Sequence, residues 1–350
     1  MNGLYIHVPF CARKCPYCDF YSCAYRPDTA KRYTDAVCRN LEALHGTAYD
    51  TVYFGGGTPS LLPAEQITRI ADTLRMHCTV AENAEITLEA NPLTVTAERL
   101  SAWKKAGISR LSLGVQSFQA EVLHTLGRKH TPQQAKDAVC RAADAGFRNL
   151  SLDLMLGLQC QDADTLAADI AEAVSLPVTH ISAYLLKIEE HTPFGASPPA
   201  LLSDDAEAER WMQLHDALTA KGFVHYEISN FALPGFESRH NCKYWRCEPY
   251  DAIGPAAHGC TGSVRYAVPS DLEAFCDAPL QQTEITEPHA CTEEERIMLG
   301  LRLSEGIAAD SALLRRAKPM MPVYLTEENG RLRMTPQGWL VSNSVLAALL

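Results

Sequence analysis

Short apolar runs alternate with longer amphipathic stretches along the first 200 residues of the chain. The apolar runs have the length of strands. In the stretches between them, apolar positions recur every three or four residues, as on one face of a helix. Six strands are predicted, at 3–8, 51–54, 84–89, 110–113, 149–153 and 180–184. Because strands and helices alternate, the pattern predicts a parallel α/β array, open or barrel-like.

Helices are predicted between these strands and again beyond them, at 29–44, 63–76, 97–106, 133–145 and 205–221. The Pro-containing segment 191–199 is predicted to be a loose connection, because proline and glycine interrupt regular structure. A strand at 223–228 and an irregular aromatic stretch follow. We therefore expect a barrel over 1–200, an extension over 201–280 and a C-terminal unit over 281–350.

The C-terminal unit has the pattern of a small α+β module. A helix is predicted from about residue 292, a turn at 328–330 and a last helix at 340–350. The order resembles a winged helix. Its final helix carries no Lys or Arg, so we do not expect it to read DNA.

Composition narrows the functional classes. The 350 residues carry a net charge of -11 without a Lys/Arg-rich run, which argues against nucleic acid and anionic membrane surfaces as partners. No apolar run approaches the roughly 18 residues of a membrane span, and the brief apolar start does not read as a signal peptide. We expect a cytoplasmic protein whose thirteen cysteines are mostly reduced.

Three of these cysteines, Cys11, Cys15 and Cys18, stand close together just after the first predicted strand. A structural zinc site usually needs four ligands and a redox dithiol needs two. A [4Fe–4S] cluster held by only three cysteines keeps one iron open for a substrate or cofactor. The alternative is that the three are incidental thiols. The cysteines at 38, 78 and 140 are predicted to be buried small hydrophobes within helices.

The spacing Cys-x3-Cys-x2-Cys, with Tyr17 before the last cysteine, resembles the signature of radical S-adenosylmethionine (SAM) enzymes. The likeness continues through 3–260 in the stretches YIHVPFC, YFGGGTPS, LEANP, LGVQSF, LGRKHT and LDLMLGLQ. Together these resemble the coproporphyrinogen dehydrogenase-like branch of that superfamily. This resemblance implies a partial (β/α)6 radical SAM barrel followed by a C-terminal domain, which agrees with the smaller, winged-helix-like α+β unit predicted above.

The resemblance also implies cofactors and their ligands. The three cysteines would hold a [4Fe–4S] cluster, and an electron donor such as a flavodoxin or ferredoxin would reduce it for cleavage of SAM to methionine and a 5′-deoxyadenosyl radical. The residues implied for SAM are Tyr5, Tyr17, Gly56, Gly57, Thr58, Glu89, Gln116, Arg128 and Asp153. Independently of the family, the last strand residues of a parallel barrel line its site, and Glu89, Gln116 and Asp153 occupy such places. Each could alternatively be a helix cap or a loop residue.

The segment 55–57, Gly-Gly-Gly, also has a physical rationale. Three glycines after a predicted strand can adopt positive φ and let main-chain N–H groups approach a polar ligand. A glycine run is, however, as often only a turn. No catalytic residue is assigned from the sequence.

Two features separate the chain from the porphyrinogen dehydrogenases. Their motif continues as Cys-Gly-Cys and follows a long N-terminal arm, whereas here Asp19 follows Cys18 and ten residues precede Cys11. The later pattern His-Asn-x-x-Tyr-Trp, at His240, Asn241, Tyr244 and Trp245, instead resembles the HemW-type heme chaperones.

That pattern is chemically compatible with heme. Imidazole is a common axial ligand, and flat aromatic rings pack against a macrocycle. The alternative is that His240 is a hydrogen-bonded core residue. Four further residues could supply the ligand instead, namely Cys242, Cys247, His258 and Cys260.

Three functions are therefore compatible with the sequence. The first, which it favours, is a heme chaperone that carries the cluster and SAM and passes heme to an acceptor protein. The second is an oxygen-independent coproporphyrinogen III oxidase of porphyrin biosynthesis. The third is a radical SAM enzyme that acts on another substrate.

Overall fold

A sheet of twelve strands forms the body of the protein. The computed structural model describes residues 1–350. Twelve of the seventeen strands of the chain belong to this sheet, and the other five form two small sheets. In chain order, the strands are β1 (Asn2–Val8), β2 (Phe10–Cys11), β3 (Cys23–Ala24), β4 (Ala48–Gly56), β5 (Thr79–Ala90), β6 (Arg110–Gln116), β7 (Asn149–Leu156), β8 (His180–Leu185), β9 (Val224–Glu227), β10 (Asn230–Ala232), β11 (Tyr250–Ile253), β12 (His258–Thr261), β13 (Val264–Ala267), β14 (Glu284–Glu287), β15 (Ile307–Ala308), β16 (Leu325–Glu328) and β17 (Arg331–Met334).

Helices connect most of the parallel strands and build the C-terminal end of the chain. They are α1 (Pro27–Ala43), α2 (Ala64–His77), α3 (Ala97–Lys105), α4 (Ala120–Thr125), α5 (Pro132–Asp144), α6 (Ala163–Ser175), α7 (Pro193–Ala196), α8 (Asp204–Thr219), α9 (Arg239–Trp245), α10 (Leu272–Asp277), α11 (Glu293–Gly300), α12 (Ser311–Ala317), α13 (Pro336–Leu340) and α14 (Ser342–Leu349). None of them is both long and apolar enough to cross a lipid bilayer.

The sheet order is β14-β13-β12-β11-β1-β4-β5-β6-β7-β8-β10-β9. Six consecutive strands, β1, β4, β5, β6, β7 and β8, run parallel and form the partial (β/α)6 barrel; each was predicted. A seventh parallel strand, β11, pairs with β1 and was not predicted. Because parallel strands share their direction, the carboxyl ends of all seven open on one side of the barrel, here called the barrel mouth.

The barrel core explains why these segments form strands and helices. Strands such as β6 are buried along nearly their whole length, as expected where helices cover a parallel sheet. Helix α1 packs on the sheet through Ala30, Tyr33, Val37 and Leu41, which repeat at helical spacing and are all buried. The five predicted helices are confirmed with shifts of a few residues at their ends.

The C-terminal domain has its own hydrophobic core, to which Leu301, Leu325, Trp339 and Leu349 contribute. Its three-stranded sheet, β15-β17-β16, and flanking helices give the expected winged-helix-like arrangement. The predicted turn lies at Asn329 and Gly330, both with positive φ. Strands β9 and β10, after residue 200, and β14, after residue 280, belong to the same sheet as the barrel strands. The sheet therefore does not stop at the predicted limits of the three units, and these limits stay predictions.

Two local predictions are wrong. The segment 191–199 is not a loose connection, since it holds α7 and buries Phe194 against Tyr17 with ring centroids 6.4 Å apart. The Phe194 N–H also donates to the Pro16 carbonyl oxygen at 3.0 Å, which ties this segment to the cysteine loop. Cys140 lies on α5 but is exposed, whereas Cys38 and Cys78 are buried as predicted.

Candidate functional site

The loop that carries Cys11, Cys15 and Cys18 leaves β1 at the barrel mouth. A two-residue ladder between β2 and β3 closes the loop at its base. All three thiols are free and partly exposed. Cys11 Sγ lies 3.7 Å from Thr58 Oγ1, and Arg128 Nη1 lies 3.5 Å from Cys15 Sγ. The fold therefore brings residues from two other connections, the one after β4 and the one between α4 and α5, against the cysteine loop.

The glycine turn after β4 lies along the start of the same loop. The Gly57 and Thr58 N–H groups donate to the Val8 and Phe10 carbonyl oxygens at 2.9 and 2.7 Å, and the Gly56 N–H donates to Glu89 at 3.2 Å. These three N–H groups are therefore engaged within the chain, and the assignment of Gly56, Gly57 and Thr58 to SAM stays a prediction. A Cβ on Gly57 would come within 2.7 Å of the Phe10 carbonyl oxygen, so glycine is required by close chain packing.

Glu89 is the second-last residue of β5 and lies at the barrel mouth. Its carboxylate accepts hydrogen bonds from the Tyr53 hydroxyl at 2.8 Å and from the Gly56 N–H. The Tyr53 ring stacks on Tyr5 with centroids 6.2 Å apart. Burial and the nearby Asp153 raise the pKa of Glu89 to about 7, although hydrogen bonding opposes the shift. A carboxylate whose negative charge costs energy in this way is suited to a cationic or hydroxyl-bearing ligand.

Gln116, Arg128 and Asp153 converge above Gly114. A Cβ built on Gly114 would lie 3.2 Å from Arg128 Nη2, 3.3 Å from Gln116 Nε2 and 3.9 Å from Asp153 Oδ2. Gln116 has a φ of 71°, a strained conformation for a residue other than glycine, and its buried Oε1 has no hydrogen-bond partner. Burial raises the pKa of Asp153 to about 6. These residues form a polar cradle next to the cysteine loop.

The side chains at the mouth fit the cofactors that the motif implies. No three His, Cys, Asp or Glu side chains converge on a single-ion position. A cuboidal cluster does not need such a point, because each of the three cysteines binds a different iron. The unpaired oxygen of Gln116 and the two carboxylates with raised pKa supply hydrogen-bonding groups for a polar ligand beside the thiols. All nine residues expected at the SAM site lie on this side of the barrel or on the strands beneath it.

We predict that Glu89→Gln stabilises the protein without cofactors at pH 8 by about 2 kcal/mol. The pKa of Glu89 is higher in the folded than in the unfolded chain, so the folded state binds more protons between about pH 4.5 and 7. Stability therefore falls as the pH rises through this window, and the cost is fully present above it. Glutamine removes the charge and keeps the acceptor for Tyr53, but it loses the acceptor for the Gly56 N–H, so the expected gain is smaller than the pKa difference alone would give. Urea unfolding at pH 5 and pH 8 measures the effect.

The exposed Glu82, on the same strand β5, offers the control. Glu82→Gln should leave the pH dependence of unfolding unchanged. A Glu89→Gln protein with the same slope between pH 5 and 8 as the original would contradict the raised pKa. SAM binding by the loaded protein should weaken in Glu89→Gln alone.

The His-Asn-x-x-Tyr-Trp pattern lies at the opposite end of the barrel from the cysteines, on helix α9. His240 is fully buried. Its Nδ1 is 2.9 Å from Thr51 Oγ1 and its Nε2 is 2.8 Å from the Tyr244 hydroxyl, so both ring nitrogens have partners. The ring stacks on Tyr53 at 5.3 Å. Burial lowers the pKa of His240 to about 3, so the imidazole is neutral.

The other residues of the pattern are more accessible. Asn241 and Trp245 are half-buried, and the Arg302 guanidinium lies 4.2 Å from the centre of the Trp245 ring. Of the other heme-ligand candidates, Cys242 and Cys260 are buried, Cys247 is half-buried and His258 is exposed. No candidate presents a free ligand atom inside an apolar crevice in this conformation. The cavity behind α9, of about 380 Å³, has only four hydrophobic residues among thirteen.

Sequence reasoning missed two residues that organise the site. The Tyr53 hydroxyl donates to Glu89 and its ring stacks on His240, so this side chain connects the barrel mouth to α9. Its position two residues before Gly55 on β4 places it on the inner face, and this alternation was available from the sequence. Gly114 supports the polar cradle, and its signal was a glycine in the interior of a strand.

Comparison with known proteins agrees with the fold and the cysteine motif. Residues 5–172 match the family model of the radical SAM superfamily. The chain is 43% identical over 262 residues to heme chaperone HemW of Escherichia coli (strain K12), covering 73% of this chain and 69% of the relative. It is 34% identical to heme chaperone HemW of Bacillus subtilis (strain 168), covering 100% of this chain and 99% of the relative, and 31% identical to heme chaperone HemW of Lactococcus lactis, covering 100% and 97%.

A comparison with solved structures agrees with this fold over the whole chain. Coproporphyrinogen III oxidase HemN from Escherichia coli, described as a radical SAM enzyme, superimposes with a TM-score of 0.83 over 99% of this chain and 89% of its own. The two are 20% identical, so this likeness supports the fold alone.

Proposed function

The chain belongs to the HemW family within the radical SAM superfamily, and from that premise we propose that it is a heme chaperone, which binds heme and transfers it to an acceptor protein. The observation that carries the proposal is the full-length similarity to relatives named heme chaperone, which includes α9 and the C-terminal domain. The likeness to HemN concerns the fold and does not favour the oxidase.

We assign Cys11, Cys15 and Cys18 to a [4Fe–4S] cluster and the polar cradle to SAM. When bound, the cluster and SAM supply reductive cleavage of SAM, with electrons from a donor such as a flavodoxin or ferredoxin. Arg128, beside Cys15, places a positive charge next to the thiolates. Glu89 and Asp153 supply acceptors for the positive or hydroxyl-bearing parts of SAM, and Gln116 orients it through its unpaired oxygen.

We propose that the α9 motif at His240, Asn241, Tyr244 and Trp245 takes part in heme binding after an opening movement. Neutral imidazole is the form that binds iron, and the lowered pKa of His240 supports this. A ligand role requires that Nε2 leave the Tyr244 hydroxyl and that α9 move out of the barrel end. Binding should therefore be slow compared with diffusion, because a minor open state must form first.

The test is a hemin titration of the anaerobically reconstituted protein, followed by absorbance, in parallel with an assay for coproporphyrinogen III consumption. We expect saturable binding of one hemin per chain, no porphyrinogen turnover, and loss of the hemin absorbance to apo-myoglobin added as an acceptor. Turnover without tight hemin binding would establish the oxidase instead. SAM consumption with neither would indicate a radical SAM enzyme for another substrate.

A further inference from the structure

A second group of cysteines lies away from the barrel mouth and has no role in the function proposed above. We call Cys247, Cys260 and Cys291 the thiol cluster. Cys247 lies two residues after the end of α9, Cys260 lies in β12, which forms a hairpin with β13, and Cys291 precedes α11. Cys260 Sγ and Cys291 Sγ are 3.8 Å apart, and Cys291 Sγ is 3.9 Å from the Cys247 carbonyl oxygen. Cys291 is therefore in contact with both other residues.

The backbone at two of these cysteines is unusual. Cys247 has a φ of 51° and Cys291 a φ of 63°, in the left-handed region that glycine and asparagine occupy at least cost. Elsewhere in the chain most such positions are glycine. If these cysteines served only as small residues at a turn, glycine would fit each position better. The strained backbone thus carries a thiol at two adjoining positions, which points to a use for the sulfur atoms.

Metal binding and disulfide formation are the two uses of close thiols. The thiol cluster and its neighbours do not form a group of three ligand side chains around an ion position. A disulfide needs two cysteines whose side chains suit the bond and whose sulfur atoms can approach to about 2.0 Å, and here the sulfur atoms start 3.8 Å apart. Cys260 is buried and Cys291 is partly exposed, so a soluble reagent can reach Cys291 first.

We propose that Cys260 and Cys291 form a reversible disulfide by exchange with a low-molecular-weight disulfide such as oxidised glutathione. The Cys291 thiolate attacks one glutathione sulfur, breaks the S–S bond and releases one glutathione thiolate. The Cys260 thiolate then attacks Cys291 Sγ and releases the second. The two protons lost by the cysteines go to the two glutathione thiolates, so the cysteine pair is oxidised and one glutathione disulfide is reduced.

The surroundings of Cys260 slow the oxidation of the pair. Burial and the adjoining Cys291 raise the pKa of Cys260 to about 11, while Arg265 opposes this shift and Glu295 adds to it. The Cys260 thiolate is therefore scarce at neutral pH, and its attack on Cys291 Sγ is slow. The cross-link would join the hairpin of β12 and β13 to the segment that enters the C-terminal domain. It does not depend on heme binding.

The experiment treats the anaerobically reconstituted protein with oxidised glutathione, blocks the remaining thiols with iodoacetamide and maps the peptides by mass spectrometry. Cleavage by trypsin and before Asp251 and Asp277 places Cys247, Cys260 and Cys291 on separate peptides. We expect a Cys260–Cys291 cross-link that has lost two hydrogen atoms and disappears on reduction with dithiothreitol. The exposed Cys140, with no thiol neighbour, serves as an internal control and should retain bound glutathione.

The variant Cys260→Ser tests the order of steps. Removing the second thiol should leave glutathione on Cys291, as on Cys140. The proposal is overturned if Cys291 of the original protein keeps its glutathione, if Cys291 pairs with Cys247 instead, or if Cys260 and Cys291 are both alkylated while Cys140 has reacted.

Discussion

Replacing Cys15 with alanine should remove the [4Fe–4S] cluster and reductive SAM cleavage together. Loss of a residue that only orients a metal ligand costs about 10–100-fold in metal affinity, and loss of a ligand itself should cost at least as much. The Cys15 thiol is partly exposed in a loop, so the fold should survive its removal. Iron and sulfide content, with absorbance after anaerobic reconstitution, measures the loss, and thermal unfolding checks the fold.

Cys23 provides the matched control. It belongs to the same segment, where β3 closes the cysteine loop, and its Sγ donates to the Pro9 carbonyl oxygen at 3.3 Å. Cys23→Ala should therefore keep the iron and sulfide of the original protein. Unchanged iron and sulfide in Cys15→Ala, or an equal loss in both variants, would mean that the three-cysteine assignment is wrong.

The barrel was accessible from the sequence because its strands are local patterns. Each apolar run of β1 and β4 to β8 is bounded by helical spacing, and parallel strands connected by helices leave few topologies. Strand β11 was not predicted because it is only four residues long and its partner β1 lies far away in the sequence, as in the pair Gly3 and Tyr250. The segment around Phe194 looked loose because its partner, Tyr17, lies far away in sequence.

The sequence predicts those residues of the candidate site that lie at the carboxyl ends of the parallel strands. Glu89 and Gln116 follow from the rule that carboxyl ends of parallel strands share one edge. The surroundings of His240 could not be found this way, since its partner Thr51 is 189 residues away. Local sequence around α9 cannot show that the imidazole is enclosed. The use of the Gly56 to Thr58 amides within the chain was likewise hidden, because their acceptors belong to other segments.

Replacing His240 with alanine should have two effects. Removing the buried ring leaves a cavity and two unpaired hydroxyl groups, on Thr51 and Tyr244, so the free energy of unfolding should fall by about 3 kcal/mol. Saturable hemin binding should also be lost while the cluster remains, because His240 is the residue that we propose as the ligand of the heme iron. Urea unfolding measures the first effect and a hemin titration, well below the unfolding temperature, measures the second.

His180 separates these effects because its surroundings nearly duplicate those of His240. It is fully buried, with Nδ1 2.7 Å from Ser151 Oγ and Nε2 2.8 Å from the Tyr226 hydroxyl. His180→Ala should lose comparable stability and keep hemin binding. If both variants bind hemin as the original does, α9 only closes the barrel end and heme binds elsewhere. If both variants lose hemin binding equally, the loss reflects damage to the barrel. Only a loss of hemin binding in His240→Ala that His180→Ala does not share supports the imidazole of His240 as the ligand.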